Sequence, residues 1–207
     1  MSAATSDFEP AASSSAPHGL SAIASGAASL DLTIVIVVYR TPDYLRRCLD
    51  SIEAARIQLD YEVWVIDNAP EDSASAEVAA GRERVHYRAS KKNLGFGGGV
   101  NRGMSLGVGR HFLVLNPDVA IEPGSVDRLV RFLDEEEDVG IAAPRLHYPD
   151  GSLQHSVRRY YTFQVLLLRR TFLGKLFPKA RALREHLMLD WDHESVRDVD
   201  WCLGGGM

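Results

Sequence analysis

The chain has 207 residues, of which 45 % are hydrophobic and 25 % charged, and its formal net charge is −5. This length can form one α/β core with residues to spare, and the acidic balance gives no global reason to expect nucleic-acid binding. Cys48 and Cys202 fit no metal-binding or disulfide pattern, which is typical of a reducing compartment. No apolar run reaches the roughly 18 residues of a membrane-spanning helix, and the N-terminus lacks the basic region of a signal peptide. We therefore expect a cytoplasmic protein.

The first predicted elements are a leader, a strand and a helix. Residues 1–30 are rich in Ala, Ser, Gly and Pro, which predicts a disordered leader. The β-branched run 33–39 is typical of a strand buried on both faces of a parallel sheet. Thr41 is expected to cap the helix that follows, with Pro42 at its first position. Apolar residues then recur with helical spacing at Tyr44, Leu45, Cys48, Leu49 and Ile52.

Strands and helices alternate further along the chain. Strands are predicted at 61–66, 85–87 and 111–115, a glycine-rich loop at 93–99, and helices at 100–106 and 125–133. This alternation predicts βαβ units and therefore an α/β fold with a mostly parallel, doubly wound sheet. Ligands of such sheets bind outside the carboxyl ends of the strands. Here those ends carry Tyr39, Asp67-Asn68 and Asn116-Pro117-Asp118.

Asp67 directly follows the apolar strand that ends at Ile66. A carboxylate at this position can accept a hydrogen bond from an N–H group of a nucleotide base. The alternative is an Asx turn that begins the next loop, because an Asp-Asn pair commonly makes such turns.

The glycine-rich segment 93–103 can bring the backbone close to a phosphate, and the helix N-terminus after it favours anions. Lys91, Lys92 and Arg102 add positive charge nearby. The dinucleotide-binding fingerprint fails, because Val100 or Arg102 stands where its third glycine is required. A flexible surface loop is the alternative interpretation.

Asn116-Pro117-Asp118 follows the strand predicted at 111–115. Asp118 can supply a carboxylate oxygen to a hard divalent cation, and such cations bind diphosphates beside them. Pro117 would stiffen the turn that presents this carboxylate. The alternative is a turn that only ends the strand, because a single carboxylate provides few ligands for a metal ion.

Taken together and in this order, the motifs resemble a family 2 glycosyltransferase of the inverting GT-A type. The most similar subgroup is the rhamnosyltransferase-like enzymes of cell-surface polysaccharide assembly. The resemblance spans residues 32 to 207 and is most specific at Asn-Leu-Gly-Phe-Gly and Leu-Asn-Pro-Asp. The matching segments are 34–39, 65–68, 93–103, 115–118 and 198–201.

The resemblance implies a role for each matching residue. The substrate-binding residues would be Tyr39, Asp67, Asn68, Asn93, Gly95, Asn101, Asn116, Asp118 and Trp201. Within this set Asp67 reads a pyrimidine base, while Asn93, Gly95 and Asn101 shape the site around the ribose and phosphates. Asp118 would bind Mg²⁺ or Mn²⁺, although Asn116 replaces the first acidic residue of the family's metal-binding motif. Asp200 is the catalytic candidate, bordering the sugar and acceptor with Trp201.

The implied reaction transfers a sugar with inversion from dTDP-rhamnose or a UDP-sugar to a saccharide or polyprenyl-linked acceptor. The metal would stabilise charge on the leaving diphosphate, and a carboxylate would deprotonate the acceptor hydroxyl. Residues 31–150 would form the nucleotide-sugar-binding domain, and 151–207 an incomplete acceptor-side region. The family's usual acidic motif with the catalytic base has no match before Met207, so we expect poor transfer by this polypeptide alone.

Two other functions compete with this interpretation. A sugar nucleotidyltransferase would carry a glycine-rich loop with a basic residue after the first strand, where this chain has Tyr39-Arg40-Thr41-Pro42. A non-catalytic nucleotide-sugar-binding module would bind donor without turnover, as a truncated enzyme also would.

A basic segment spans Ser156 to Arg184, with eight basic residues and no acidic one. These residues are Arg158, Arg159, Arg169, Arg170, Lys175, Lys179, Arg181 and Arg184. Apolar residues lie between them, and a basic amphipathic stretch can lie in the headgroup region of an anionic bilayer. This predicts peripheral contact with the inner face of the cell membrane. The alternative is a core helix with snorkelling arginines.

Overall fold

The computed structural model describes residues 30–69, 71, 74–171, 180–202 and 206. The predicted leader, except for Leu30, lies outside these residues, as do Lys175 and Lys179 of the basic segment. No helix in the described part of the chain is long and apolar enough to cross a membrane.

Four parallel strands form the central sheet in the order β3-β2-β1-β4. The strands are β1 (Leu32–Val38), β2 (Tyr61–Asp67), β3 (Val85–Ala89) and β4 (His111–Leu115). One helix follows each strand: α1 (Pro42–Ala54), α2 (Ala74–Ala79), α3 (Gly95–Met104) and α4 (Ser125–Glu135). The expected α/β fold, a Rossmann-like and mostly parallel sheet flanked by helices, is confirmed.

The two faces of the sheet have different apolar cores. Alternate residues of β1 from Leu32 to Val38 pack on one face with buried side chains of α1, α2 and α4. Val35 and Val37 point to the other face, where Val100, Leu106 and Phe112 pack against them. Because β1 is covered on both faces, all seven of its residues are buried, which explains its unbroken apolar sequence.

Helix α1 begins as its sequence predicts, with one difference in its cap and one in its apolar face. Pro42 occupies the first turn, but the Thr41 side chain makes no cap hydrogen bond. The Thr41 backbone oxygen accepts the Leu45 N–H at 3.0 Å, and the Thr41 hydroxyl is buried with no hydrogen-bond partner among the described residues. Tyr44 is 51 % exposed, so it lies outside the buried face formed by Leu45, Cys48, Leu49 and Ile52.

Helix α3 begins at Gly95, five residues before the predicted start, so most of the expected glycine-rich loop is helical. Its buried glycines allow close contact with β1. A Cβ atom on Gly99 would lie 2.6 Å from Val37 Cγ1, and one on Gly103 would lie 2.3 Å from Val35 Cγ1. These two glycines therefore serve helix–strand packing, and Gly107 continues the contact at Thr33.

The buried carboxylate of Glu62 joins several elements near the amino-terminal ends of β1 and β2. Glu62 is 7 % exposed and accepts hydrogen bonds from Thr33 Oγ1, the Val108 N–H and Trp64 Nε1, each within 2.9 Å. His86 Nε2 lies 3.6 Å from the same carboxylate. Several donors compensate the desolvation of this charge, and they fix the connection between α3 and β4 to β1 and β2.

Shorter elements follow α4. The antiparallel pairs are β5 (Leu146–His147) with β6 (Leu153–Gln154) and β7 (Val157–Arg158) with β8 (Trp201–Cys202), and the helices are α5 (Phe163–Arg170) and α6 (Arg181–His186). Gly206 forms an antiparallel bridge with Leu115. Gly206 therefore lies beside β4, at the outer edge of the central sheet.

Replacement of Gly103 by Ala should destabilise the protein, because the added methyl group meets Val35 in a packed interface. We expect the free energy of unfolding in urea to fall by about 1–3 kcal/mol. Gly97→Ala is the matched control, since a Cβ atom there has no neighbour within 4 Å. The control should leave stability unchanged or raise it by about 0.5–1 kcal/mol. Equal stability of the two variants would contradict the close packing of α3 on β1.

Candidate functional site

The carboxyl ends of the strands meet along one rim of the sheet. Val38 of β1 pairs with Asp67 of β2, and Ile36 of β1 pairs with Leu115 of β4. Asn116, which follows Leu115, therefore lies on the same rim as Asp67, two strand spacings or about 10 Å away across β1. The structure brings together the polar clusters that the sequence places at separate strand ends.

The order of the strands reverses at this rim. The chain runs outward from β1 through β2 to β3 and then returns to place β4 on the other side of β1. Ligands of doubly wound sheets bind in the crevice outside such a switch point. The order changes direction between β1 and β4, so a crevice is expected between the turn at Tyr39 and the turn at 116–118.

Tyr39 and Arg40 form the turn that leaves β1. The Tyr39 side chain is 48 % exposed, and Arg40 has a left-handed backbone with φ of 56°. The Arg40 guanidinium lies 5.2 Å from the centroid of the Tyr39 ring and forms a 3.0 Å ion pair with Glu71. This hydrogen-bonded pair holds the pKa of the Glu71 carboxyl below its ordinary value. The turn thus presents an exposed aromatic ring, with a cation beside it, at the crevice.

Asp67 is 1 % exposed, and both of its carboxylate oxygens accept hydrogen bonds. Oδ1 accepts the Ala69 N–H at 2.8 Å, and Oδ2 accepts the Tyr87 hydroxyl at 2.7 Å. The first contact is the Asx turn that the sequence left as an alternative. Each carboxylate oxygen has a second lone pair, so these contacts are compatible with a base N–H as a further donor. The role of Asp67 in reading a base stays a prediction.

Asn68 fastens the start of α3 to the end of β2. Its Nδ2 donates to the Gly95 carbonyl at 3.0 Å, and its Oδ1 accepts the Leu94 N–H at 3.3 Å. Asn93 Oδ1 accepts the Gly95 N–H at 2.8 Å, and Gly95 has a left-handed φ of 69°, a conformation that favours glycine. Residues 93–95 are therefore held as a defined turn. The sequence placed Asn68 in the site but did not indicate this clamp.

The first turn of α3 offers backbone groups to the crevice. A Cβ atom on Gly95 or Gly97 would have no neighbour within 4 Å, so this part of the segment faces open space. The first N–H groups of a helix lack intrahelical partners and favour anions. Lys91, Lys92 and Asn101 are exposed nearby. The segment thus has two parts: Gly95 and Gly97 face open space, and Gly99 packs on the sheet.

Helix α1 holds the turn that carries Asp118. The Cys48 thiol donates to the Asn116 carbonyl at 3.8 Å, and Ser51 Oγ accepts the Ile121 N–H at 2.9 Å. Asn116 is half-buried, whereas Asp118 is exposed. Burial, with a smaller contribution from the Asp118 charge, raises the pKa of Cys48 to about 12. Two side chains of α1 therefore fix the beginning and the end of this turn.

Asp118 presents one exposed carboxylate at the rim. No group of three or more His, Cys, Asp or Glu side chains that could hold a metal occurs among the described residues. Mg²⁺ is commonly bound through one or two carboxylates, with substrate phosphates completing its coordination. The residues at this turn fit that mode of binding and do not fit an all-protein metal site.

Asp200 directly precedes β8 and is held by the loop after β7. Its Oδ2 accepts the Tyr160 N–H at 2.7 Å, and its Oδ1 accepts Arg159 Nη1 at 3.4 Å. Trp201 Nε1 donates to the Arg159 carbonyl at 3.3 Å, and its ring stacks on Tyr161 with centroids 6.1 Å apart. Gly206, five residues after Trp201, forms a bridge with Leu115, the residue before Asn116.

A family model for glycosyl transferase family 2 matches residues 33–201. An N-acetylglucosaminyl-diphospho-decaprenol L-rhamnosyltransferase of Mycobacterium tuberculosis is 30 % identical over 84 % of this chain. The succinoglycan biosynthesis protein ExoO of Rhizobium meliloti is 33 % identical over 53 % of this chain. The chain spans 59 % of the first relative's length and 31 % of the second's.

Solved glycosyltransferase structures give weaker similarities. S. aureus TarS 1-349 in complex with UDP-GlcNAc has a TM-score of 0.46 at 19 % identity, over 56 % of this chain and 37 % of TarS. The mannosyltransferase PcManGT from Pyrobaculum calidifontis, in complex with GDP-Man and Mn²⁺, has a TM-score of 0.46 at 17 % identity. That similarity covers 57 % of this chain and 34 % of the mannosyltransferase.

The buried Cys48 thiol predicts a specific dependence of stability on pH. Its pKa is raised from 9.0 to about 12 in the folded state, so its contribution is fully present below pH 9 and is lost as the pH rises toward 12. The free energy of unfolding should fall in this range by about 1.4 kcal/mol per pH unit more in the wild type than in Cys48→Ala. Urea unfolding of both proteins from pH 8 to 11 measures the difference. Parallel pH profiles would contradict the burial of this thiol beneath the Asn116 turn.

Proposed function

The chain belongs to glycosyl transferase family 2, and on this premise we propose that it transfers a sugar, with inversion, from dTDP-rhamnose or a UDP-sugar to a saccharide or polyprenyl-linked acceptor. The proposed process is the synthesis of a cell-surface polysaccharide. The observation that carries the proposal is the shared rim on which Tyr39, Asp67, the first turn of α3 and Asp118 meet at the switch point of the sheet. The relatives are a rhamnosyltransferase and a polysaccharide biosynthesis protein, which agrees with this process.

Features along the rim follow the same order as the base and the diphosphate of a nucleotide sugar. In the proposed arrangement the base lies at the end of β2 near Asp67, with the exposed ring of Tyr39 at the edge of its pocket. The diphosphate lies across β1, between the open backbone at Gly95–Gly97 and the carboxylate of Asp118. The spacing of about 10 Å from β2 to β4 suits a nucleoside diphosphate that crosses the rim.

Asp118 would hold Mg²⁺ or Mn²⁺ together with the diphosphate oxygens. When bound, this cation stabilises the negative charge that develops on the leaving diphosphate. Cys48 and Ser51 contribute by fixing the turn, so the carboxylate is positioned before the donor binds. The backbone N–H groups at the start of α3 provide additional stabilisation of the phosphates.

Asp200 is the proposed catalytic carboxylate on the acceptor side. Inversion requires a single in-line displacement, in which a base takes the proton from the attacking hydroxyl. Arg159 and the Tyr160 N–H orient the Asp200 side chain, and Trp201 beside it offers an aromatic surface to a sugar. Gly206, six residues after Asp200, forms a bridge with Leu115 at the end of β4, which supports a position of this carboxylate near the rim that would hold the donor.

Calorimetric titration with dTDP, UDP and GDP, with and without Mn²⁺, tests the donor site. We expect the pyrimidine diphosphates to bind in the presence of Mn²⁺ and Asp118→Asn to weaken that binding about tenfold, or 1.4 kcal/mol. Asp138→Asn is the control, because Asp138 is also exposed but lies just beyond the end of α4. Equal affinities of Asp118→Asn and the wild type, or no nucleotide binding at all, would contradict the proposal.

Peripheral contact with the inner face of the cell membrane is a further part of the proposal. Of the residues of α5, only Val165 is buried, while Phe163, Leu166 and Leu167 are exposed beside Arg169 and Arg170. This pattern agrees better with a surface helix than with the core helix that the sequence also allowed. Exposed apolar groups flanked by arginines suit the headgroup region of an anionic bilayer.

Co-sedimentation with phosphatidylglycerol vesicles tests this contact. The double charge reversal Arg169→Glu, Arg170→Glu should reduce the bound fraction at least several-fold, because each basic residue near an anionic surface contributes about 1 kcal/mol. Arg46→Glu, Arg47→Glu on α1 is the matched control, as it reverses another exposed arginine pair. Equal losses in both variants would indicate general charge attraction and contradict a specific role of α5.

A further inference from the structure

Tyr87 of β3 contacts the Asp67 carboxylate at the rim of the sheet. Its hydroxyl donates to Asp67 Oδ2 at 2.7 Å, a length typical of a hydrogen bond to a charged acceptor. In the parallel pairing of β2 and β3, Tyr87 lies opposite Val65, two residues before Asp67. The Tyr87 side chain therefore extends along the sheet, toward the carboxyl end of β2.

The apolar core holds the Tyr87 ring in place. Tyr87 and Val85 pack against the core on the α1 face of the sheet, whereas His86 between them is exposed. The end of β3 is also joined to β2, because the Ser90 N–H donates to the Asp67 carbonyl at 2.8 Å. The Tyr87 hydroxyl is thus carried by a ring whose position is fixed by the sheet.

Asp67 has a donor on each of its carboxylate oxygens. The Ala69 N–H donates to Oδ1 at 2.8 Å, and the Tyr87 hydroxyl donates to Oδ2. The torsion that turns an aspartate carboxylate about its Cβ–Cγ bond has a broad energy profile, so one donor leaves the plane free to turn. Donors on both oxygens define the plane and the directions of the remaining lone pairs. Tyr87 is the donor of this pair that comes from a different strand.

A carboxylate in a defined orientation distinguishes the pyrimidine bases. It accepts hydrogen bonds but cannot donate one. Uracil and thymine carry an N3–H donor between two carbonyl groups, whereas the N3 atom of cytosine is unprotonated and is itself an acceptor. A carboxylate directed at N3 therefore bonds to uracil or thymine and opposes one acceptor to another in cytosine. Sites that bond an N–H of their substrate discriminate strongly against an analogue that lacks it.

We propose that Tyr87 is a positioning residue that, by orienting Asp67, makes the donor site select the N3–H of uracil or thymine over cytosine. This inference rests on the proposed function, because it requires that Asp67 contacts the base of the donor. It adds a residue of the edge strand β3 to the donor site. Tyr87 acts through Asp67 and needs no contact of its own with the nucleotide.

Titrations of the 207-residue chain with UDP and CDP in the presence of Mn²⁺ test this role. The two nucleotides have the same ribose and diphosphate, so the ratio of their dissociation constants reports base recognition alone. The wild type should bind UDP about tenfold more tightly than CDP. Tyr87→Phe should weaken UDP binding about tenfold, because the carboxylate loses its second donor, and should change CDP binding less than about twofold. A purely structural role would weaken both nucleotides together and leave the ratio unchanged.

Tyr61→Phe is the matched control. It removes the same hydroxyl from a ring that packs against the same core, but at the amino end of β2. Its affinities for UDP and CDP should equal those of the wild type, and urea unfolding verifies that each variant is folded. In an Asp67→Asn background, Tyr87→Phe should leave the ratio unchanged, because the two residues act as one unit. A further change of the ratio there would contradict action through Asp67.

A nucleotide analogue gives a second measurement that needs no variant. 3-Methyl-UDP has a methyl group in place of the N3 hydrogen, and the wild type should bind it about tenfold more weakly than UDP. Equal binding of UDP and 3-methyl-UDP would overturn the inference, and so would an unchanged ratio of UDP to CDP affinity in folded Tyr87→Phe. Either result, obtained with a wild type that binds UDP, leaves the proposed donor site standing. Absence of UDP and dTDP binding to the wild type would overturn both proposals.

Discussion

The close packing of α3 on β1 is the constraint on which the arrangement of the site depends. Gly99 and Gly103 have no side chain to hold the helix away from Val37 and Val35, so the helix axis lies directly against the sheet. This fixes the position of its first turn beside the end of β2, where Asn68 can reach the backbone of Leu94 and Gly95. A bulkier helix would move those backbone groups away from the rim, where the proposed donor site needs them.

The opposite side of the crevice is fixed by α1. Its buried face packs on β1, and from that face Cys48 and Ser51 reach the turn that carries Asp118. Both walls of the crevice are therefore positioned by β1. The glycines of α3 fix one wall against this strand, and the short side chains of Cys48 and Ser51 on α1 fix the other. In the proposed function, this shared support would keep the two walls at the separation that a nucleoside diphosphate needs.

The region after α4 is built differently, from arginines and aromatic rings rather than from strand ends. Asp200 is joined to this group through Arg159 and Tyr160. Gly206, six residues further along the chain, forms a bridge with Leu115 at the end of β4. In the proposed reaction these contacts would orient the catalytic carboxylate, while the rim of the central sheet would hold the donor.

The sequence by itself determined the α/β class, the buried strand β1, the strand ends that carry polar residues and the glycosyltransferase family. These features are local, because side-chain periodicity and short motifs record which backbone each segment adopts. Only the tertiary structure decided that Asp67 makes an Asx turn, that Asn68 clamps α3, and that Gly99 packs while Gly97 stays open. It also decided that Arg169 meets His186. The Asx turn is local and was one of two interpretations that the sequence left open. The contacts made by Asn68, His186 and Cys48 join groups 17 to 68 residues apart, and their partners are set by how helices pack on the sheet. No local pattern specifies that packing, because each side chain alone is compatible with several neighbours.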